Sequence, residues 1–443
     1  MRDGLILLLL VGVTVWALFK PWIGIMAWTL VSLMSPHQEF GYSAAYWPVA
    51  TGIAGATLAG LLHTREKQNP FYGAGPKLLL ALCVWITLTL PFSIYVDLSM
   101  PLWERSMKIF LMLFVTLALV DDRRKLDLFI WMFVIGIGYY GVKGGVFTVL
   151  TGGNYRVWGP GGFVQGNNEL GLAVVMVIPW MRYLQLQMTH KWARLAMVGA
   201  MAACALMVLG THSRGALLGV AAMVLLFWWK SKGKLLWGVL LVLGGLVALS
   251  LMPEHWWSRM NTIKTYDADE SALGRLNAWK LAIAVAMDRI TGGGFYMWNS
   301  AVFLQYSDNP ERHHAAHSIY FQVLGEQGWI GLLLFLGIGI ATWMTARSLI
   351  ASARENPAHR WAADLGAMAQ VSLVGYAVAG AFLSLTWFDL PYNVMAAVVI
   401  AHRLVNRPKP APAVAQPQPA AAPPRPGVLP PGGPGHQSIK RSR

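Results

Sequence analysis

The densest run of proton-handling and cationic side chains in the chain is Asp308-Asn-Pro-Glu-Arg312-His313-His314-Ala-Ala-His317-Ser318. A histidine exchanges its proton near neutral pH, so this run can act as acid or base. A solvated loop end with incidental histidines is the plain alternative. His313 and His317 are four residues apart, but the glutamate of a His-Glu-x-x-His motif is missing and no cysteine or second ligand pair lies near. The run therefore predicts no metal site. Arginines form the second group. Arg214 sits in Thr211-His212-Ser213-Arg214-Gly215, a short turn between two apolar runs, and Arg275 lies one helical turn before Trp279. Lys143 and Arg156 flank another loop, with Lys143 a few residues inside an apolar run. A charge at membrane depth is costly, so it faces a cavity or a partner, or snorkels to headgroups. Snorkelling suits Arg105, both readings fit Lys143, and the tight turn around Arg214 points to function.

Several arginines beside a histidine suit a phosphate-bearing lipid. Guanidinium groups hold phosphate oxygens bidentately, stay charged, and can stabilise a departing diphosphate as a metal ion would. Trp158, Trp256, Trp257, Trp298 and Trp387 suit either sugar stacking or an interfacial belt. The stretch Gly159-Pro-Gly-Gly-Phe-Val-Gln-Gly-Asn167-Asn168 lacks Gly-Lys-Ser/Thr and follows no strand, which argues against nucleotide binding. Asp267-Ala-Asp-Glu270 has a metal-like spacing, but reads better as an acidic helix start.

The elements that must carry these residues are membrane spans. Of 443 residues, 56% are hydrophobic and 12% charged, against about 25% charged in a soluble domain. Apolar runs long enough to cross a bilayer recur from Leu5 to Ala401, and such runs are helices because their backbone groups must be satisfied internally. No removable signal peptide is evident. Cys83 and Cys204 both lie in apolar runs and read as packing residues. The net charge of +15 falls in alternate loops, including Arg123-Arg124-Lys125 and Arg347 to Arg360. That is the positive-inside pattern and not a nucleic-acid footprint. The layout predicted is an all-α polytopic membrane protein of about 12 transmembrane helices, counting 4–35 as one span kinked at Lys20–Pro21, with the N-terminus cytoplasmic. Two short spans there, giving thirteen, are the alternative. The domains expected are N-terminal helices over 1–252, a large periplasmic loop over 253–317, C-terminal helices over 318–404 and a disordered cytoplasmic tail over 405–443. The tail holds eleven prolines. The large loop is predicted to fold as a helical cap, with Glu270–Ile290 a helix capped by Ser271. Its apolar positions are Leu273, Leu276, Trp279, Leu281 and Ile283.

At these residues the sequence resembles the O-antigen ligase family, within the wider group of O-antigen polymerases and bacterial O-oligosaccharyltransferases. The family pattern of His, then Asn, Ser or Gln, nine residues, Gly, two residues, Gly reads here as His317-Ser318, Ile319 to Gln327, Gly328 and Gly331. Its Arg-x-x-x-Leu element matches Arg214 to Leu218, its loop arginine ahead of a tryptophan matches Arg275 and Trp279, and its glycine–asparagine segment is similar to Gly166-Asn167-Asn168. The resemblance covers roughly 20–404. It implies a metal-independent, inverting glycosyltransferase of the GT-C type in the bacterial inner membrane, with no cofactor. Such an enzyme moves a glycan from undecaprenyl diphosphate to a sugar hydroxyl of lipid A–core at the periplasmic face. It implies His317 as general base and Arg214 and Arg275 as diphosphate ligands. Lys143, Arg156, Asn167, Asn168, Arg312 and His313 are possible accessory residues. A protein acceptor, or extension of the lipid-linked glycan itself, remains open. A transporter fits least, because no half-to-half similarity is visible and the polar cluster sits at the rim.

Overall fold

A computed structural model describes residues 2–41, 47–65, 67–230, 234–250, 252–261 and 270–407. Among them the chain is helical throughout, with no strand. The helices are α1 (Arg2–Phe19), α2 (Pro21–Met34), α3 (Pro36–Phe40), α4 (Val49–His63), α5 (Ala74–Thr89), α6 (Val96–Leu119), α7 (Arg123–Leu150), α8 (Asn167–Gln187) and α9 (Lys191–Gly210). They continue as α10 (Arg214–Lys230), α11 (Lys234–Ser250), α12 (Glu254–Asn261), α13 (Glu270–Asp288), α14 (Ser300–Tyr306), α15 (Ile319–Glu355), α16 (Arg360–Gly380) and α17 (Asp389–Val405). Six segments are long and apolar enough to cross a bilayer, those holding α5, α7, α8, α9, α15 and α16. The shorter apolar helices α1, α2, α4 and α10 lie beside them, as expected of a multi-pass membrane protein. Residues 1–406 form one compact unit. Its core is centred on α7, α8 and α17, where Phe133, Trp180, Tyr183 and Tyr392 are fully buried.

The single kinked span expected over 4–35 is instead two antiparallel helices. Leu7 to Thr14 of α1 line a cavity with Pro48 to Gly52 of α4. Trp28 to Ser35 of α2 line another with Trp47 to Leu58 of the same stretch. Both ends of 4–35 thus return to one region of α4, as only a hairpin permits. Lys20 leaves helical geometry at φ −132° and Pro21 opens the next helix, because proline is preset for a first helical turn and cannot continue a preceding one.

Side-chain contacts sort the remaining helix ends into two groups. At one end, Arg403 donates to the Leu117 and Val120 carbonyls at 2.8 and 2.6 Å. Arg123 there donates to Gln187 at 2.9 Å and lies over the Trp361 ring. This end carries the basic loops. At the other end, the Tyr140 hydroxyl donates to the Met34 carbonyl, Val157 N–H to Gly210 and the Thr386 hydroxyl to Ile319. The chain start, the α2–α4 connection and the 253–317 segment belong to this second end.

The large loop folds as the helical cap expected, with its main helix ending at Asp288, two residues early. The buried face differs from the one read off the sequence. Leu276 and Ile283 are exposed, whereas Ala278, Leu281 and Val285 pack with Met297, Val302 and Phe303. Of the positions read off the sequence, Leu281 is fully buried in this stripe. The Ser271 cap side chain, Asp267 and Asp269, and the tail beyond 407 lie outside the described residues.

Candidate active site

The loop from α14 back into α15 ends at His317, whose φ is +42°, an uncommon conformation for a side-chain-bearing residue. Ala316 is buried, and its carbonyl accepts from Trp279 Nε1 at 2.8 Å. Phe321 stacks on the Trp279 ring. The base of the cap helix is thereby fixed to the first turn of α15. Arg275 stands one turn earlier on α13, where it interacts electrostatically with His317. It interacts likewise with Glu169, near the start of α8. Burial first, then the charges of Arg275 and His314, push the His317 imidazole down from its ordinary 6.5 to about 4. The ring is therefore neutral at physiological pH. Its Nδ1 is buried without a hydrogen-bond partner, as is the Ser318 hydroxyl beside it. Two unsatisfied buried polar atoms side by side are uncommon in a folded protein and call for an explanation.

Arg214 approaches from another side. Ser213 caps α10, its hydroxyl accepting the Ala216 N–H at 3.2 Å, so Arg214 is the first helical residue. His212, with φ +55°, turns the chain and bonds the Gly153 carbonyl at 3.0 Å. Asn167 donates to the Thr211 carbonyl at 2.7 Å, which ties the α8 start to this turn. Gly215 lies against Phe382 and Leu383, and Gly380 against Ile319, so the starts of α10 and α15 share the C-terminal end of α16. The first turns of α8, α10 and α15 are thus joined through these contacts, and Arg275 acts electrostatically on the starts of α8 and α15. Helix N-termini present unpaired N–H groups and a partial positive charge, and with the arginines they make a setting for an anion.

The second half of the histidine motif is structural. Gly328 breaks α15 at φ +67°, and a Cβ there would stand 2.2 Å from the Ile290 carbonyl oxygen. The Gly292-Gly293-Gly294 strip runs into the break. Gly293 N–H bonds the Gly325 carbonyl at 2.8 Å, and Gly294 N–H bonds that of Glu326 at 3.0 Å.

Residues 171–336 match the family described as O-Antigen ligase, and residues 1–189 match a family of unknown function. The stretch over 171–336 thus belongs with the O-antigen ligase/polymerase superfamily. No curated protein matches the chain. Arg214, Arg275, His317, Gly328 and Gly331 all fall inside the O-antigen ligase match, while Asn167 and Glu169 precede it.

Not every residue singled out in the sequence joins the site. Lys143 is exposed and paired with Glu39 of α3. Arg156, Arg312 and His313 are exposed. The carbonyl of Arg312 accepts from Asn277 at 2.9 Å, and His313 packs edge-on against Phe303. Asn168 is half-buried in the first turn of α8. Three tryptophans offered for sugar stacking serve the fold instead: Trp298 and Trp387 donate to the buried Glu326 at 2.9 and 2.6 Å. Trp256 donates to the Leu209 carbonyl. Trp158 and Trp257 are exposed. Cys83 and Cys204 are free thiols. Among the described residues no three His, Cys, Asp or Glu side chains gather in a metal-binding arrangement. Glu169 and Glu326 escaped sequence reading. Glu169 looks like an ordinary acidic residue in a first helical turn, and Glu326 lies in the nine-residue spacer of the motif.

Proposed function

We propose that this protein is an O-antigen ligase of the GT-C type, set in the bacterial inner membrane with the His317 end facing the periplasm. It takes a glycan from undecaprenyl diphosphate and joins it to a sugar hydroxyl of lipid A–core. The single observation that carries the reading is the engagement of Arg275 with both His317 and Glu169, where three helix N-termini meet. The basic loops at the far end support the orientation, since such loops stay on the cytoplasmic side.

In this mechanism the acceptor hydroxyl oxygen attacks the anomeric carbon and the bond from that carbon to the diphosphate oxygen breaks. The hydroxyl proton passes to the neutral imidazole of His317. Arg214 and Arg275 receive the diphosphate and stabilise its developing charge. A free imidazole held near 4 is a weak base. An arriving diphosphate offsets the Arg275 charge that helps to hold it down, so donor binding strengthens the base. Attack opposite the leaving group inverts the anomeric centre.

The test is a deletion strain complemented with wild type or His317→Ala. Lipopolysaccharide banding and periplasmic glycoprotein staining are compared at matched protein levels. Loss of the glycan-bearing lipopolysaccharide bands in the variant is expected. Retained bands would remove His317 as the base, and a defect confined to glycoprotein staining would replace the acceptor with a protein.

A further inference from the structure

A second site lies away from His317. Helices α2, α4 and α6 enclose a cavity of about 450 Å³, with Phe163 and Asp389 at its edge. Its polar and apolar walls are segregated by depth. Ser32, Ser35, His37 and Gln38 stand at the end shared with the candidate active site. Leu58 and Met112 lie deeper, about 10–15 Å along their helices at 1.5 Å per residue.

Arg105 is the notable wall residue. Its guanidinium lies over the Phe163 ring, 3.6 Å from the centroid. Among the described residues no acceptor is hydrogen-bonded to it. Asp389, buried and accepting a hydrogen bond from Ser32, attracts Arg105 electrostatically. Lys108 adds a second cation, itself 2.5 Å from Glu104. His37 is 5% exposed and its Nδ1 has no partner. Lys108 is offset by Glu104, so the wall cation that matters is Arg105, and a stacked arginine with an open donor fork suits phosphate oxygens.

We propose that this cavity binds a phosphate-bearing amphiphile, with its headgroup on Arg105 and its chains along Ala54, Leu58 and Met112. Binding itself does not depend on the ligase reading. Phe163 at the cavity edge belongs to the loop that continues into Asn167 and Glu169, so the two sites are separated by one loop. Assigning the occupant as the acceptor lipid does rest on the ligase reading.

The experiment titrates radiolabelled dodecyl phosphate into the purified full chain held in a non-ionic amphipol. An Arg275→Gln background removes a ligand of the other anion site. Saturable binding is expected to persist in that background. Adding Arg105→Gln weakens it at least tenfold. Ala54→Trp, which fills the cavity without touching a charge, does the same and covers a folding failure of the arginine variant. Inorganic phosphate, lacking a chain, competes at least a hundredfold more weakly than dodecyl phosphate. Unchanged binding in both cavity variants overturns the proposal. So does displacement by inorganic phosphate as effective as by dodecyl phosphate. Equal displacement by dodecyl maltoside also overturns it, since the headgroup preference is then for sugar. Loss of glycan transfer with intact dodecyl phosphate binding bears on the ligase reading alone.

Discussion

The rings of Trp279 and Phe321 stack with centroids 4.8 Å apart and planes 13° from parallel. This contact sets the spacing between Arg275, one turn before Trp279, and His317, four residues before Phe321. A cap helix that shifted on α15 would separate the guanidinium from the imidazole.

Trp279→Ala is therefore expected to cost more in turnover than in folding. It removes the stack and the bond to Ala316, about 1–3 kcal/mol for a half-buried aromatic. Transfer rate should fall at least tenfold. Trp279→Phe keeps the stack and loses only the bond, and should fall in between. Single-turnover rates at matched thermal stability check this, and equal rates in all three proteins would refute it.

The acid limb of kcat/KM reports the free enzyme's base. Protonated His317 cannot accept a proton, so the rate falls as pH drops through its pKa, near 4 in the wild type. Arg275→Gln removes a positive charge that lowers this pKa while leaving burial, the larger cause, in place. The limb should move upward, into the interval between about 4 and 6.5. A pH–rate profile with the lipid-linked donor measures it, and an unmoved limb would exclude the Arg275 effect.

Much of this arrangement was legible in the sequence because it rests on local chemistry. The spans α5, α7, α8, α9, α15 and α16 follow apolar runs long enough to need no arbitration. The His317 to Gly331 spacing carries both the proposed base and the helix break at Gly328. What escaped notice depends on tertiary neighbours. Lys20–Pro21 looks the same in a kinked helix and in a hairpin, and only the packing of α1 and α2 on α4 decides it. Glu169 acquires meaning through Arg275, about a hundred residues away. The buried face of α13 is chosen by Met297 and Phe303 across the cap.

Gly328→Ala should destabilise the protein strongly. Positive φ strains any L side chain by about 1–3 kcal/mol, and the added methyl meets the Ile290 carbonyl. Gly339→Ala, on the same helix with nothing within 4 Å of the new Cβ, should be neutral or mildly stabilising. Thermal unfolding in detergent separates the two, and equal melting temperatures would contradict the structural role of Gly328.

Arg214→Lys should lose at least tenfold in kcat/KM, because an ammonium cannot grip two phosphate oxygens in a plane. Rates unchanged by EDTA are expected alongside. Inhibition by EDTA, restored by a divalent cation, would return attention to Asp267 and Asp269.

The junction between the glycine strip and the break in α15 is made by main-chain atoms at Gly293, Gly294, Gly325 and Glu326. Fastening of that kind is indifferent to which side chains decorate the rest of the cap. The anchoring end therefore stays seated under substitution at the exposed positions of the cap, such as Leu304 and Arg312, as long as the three glycines and Gly328 remain.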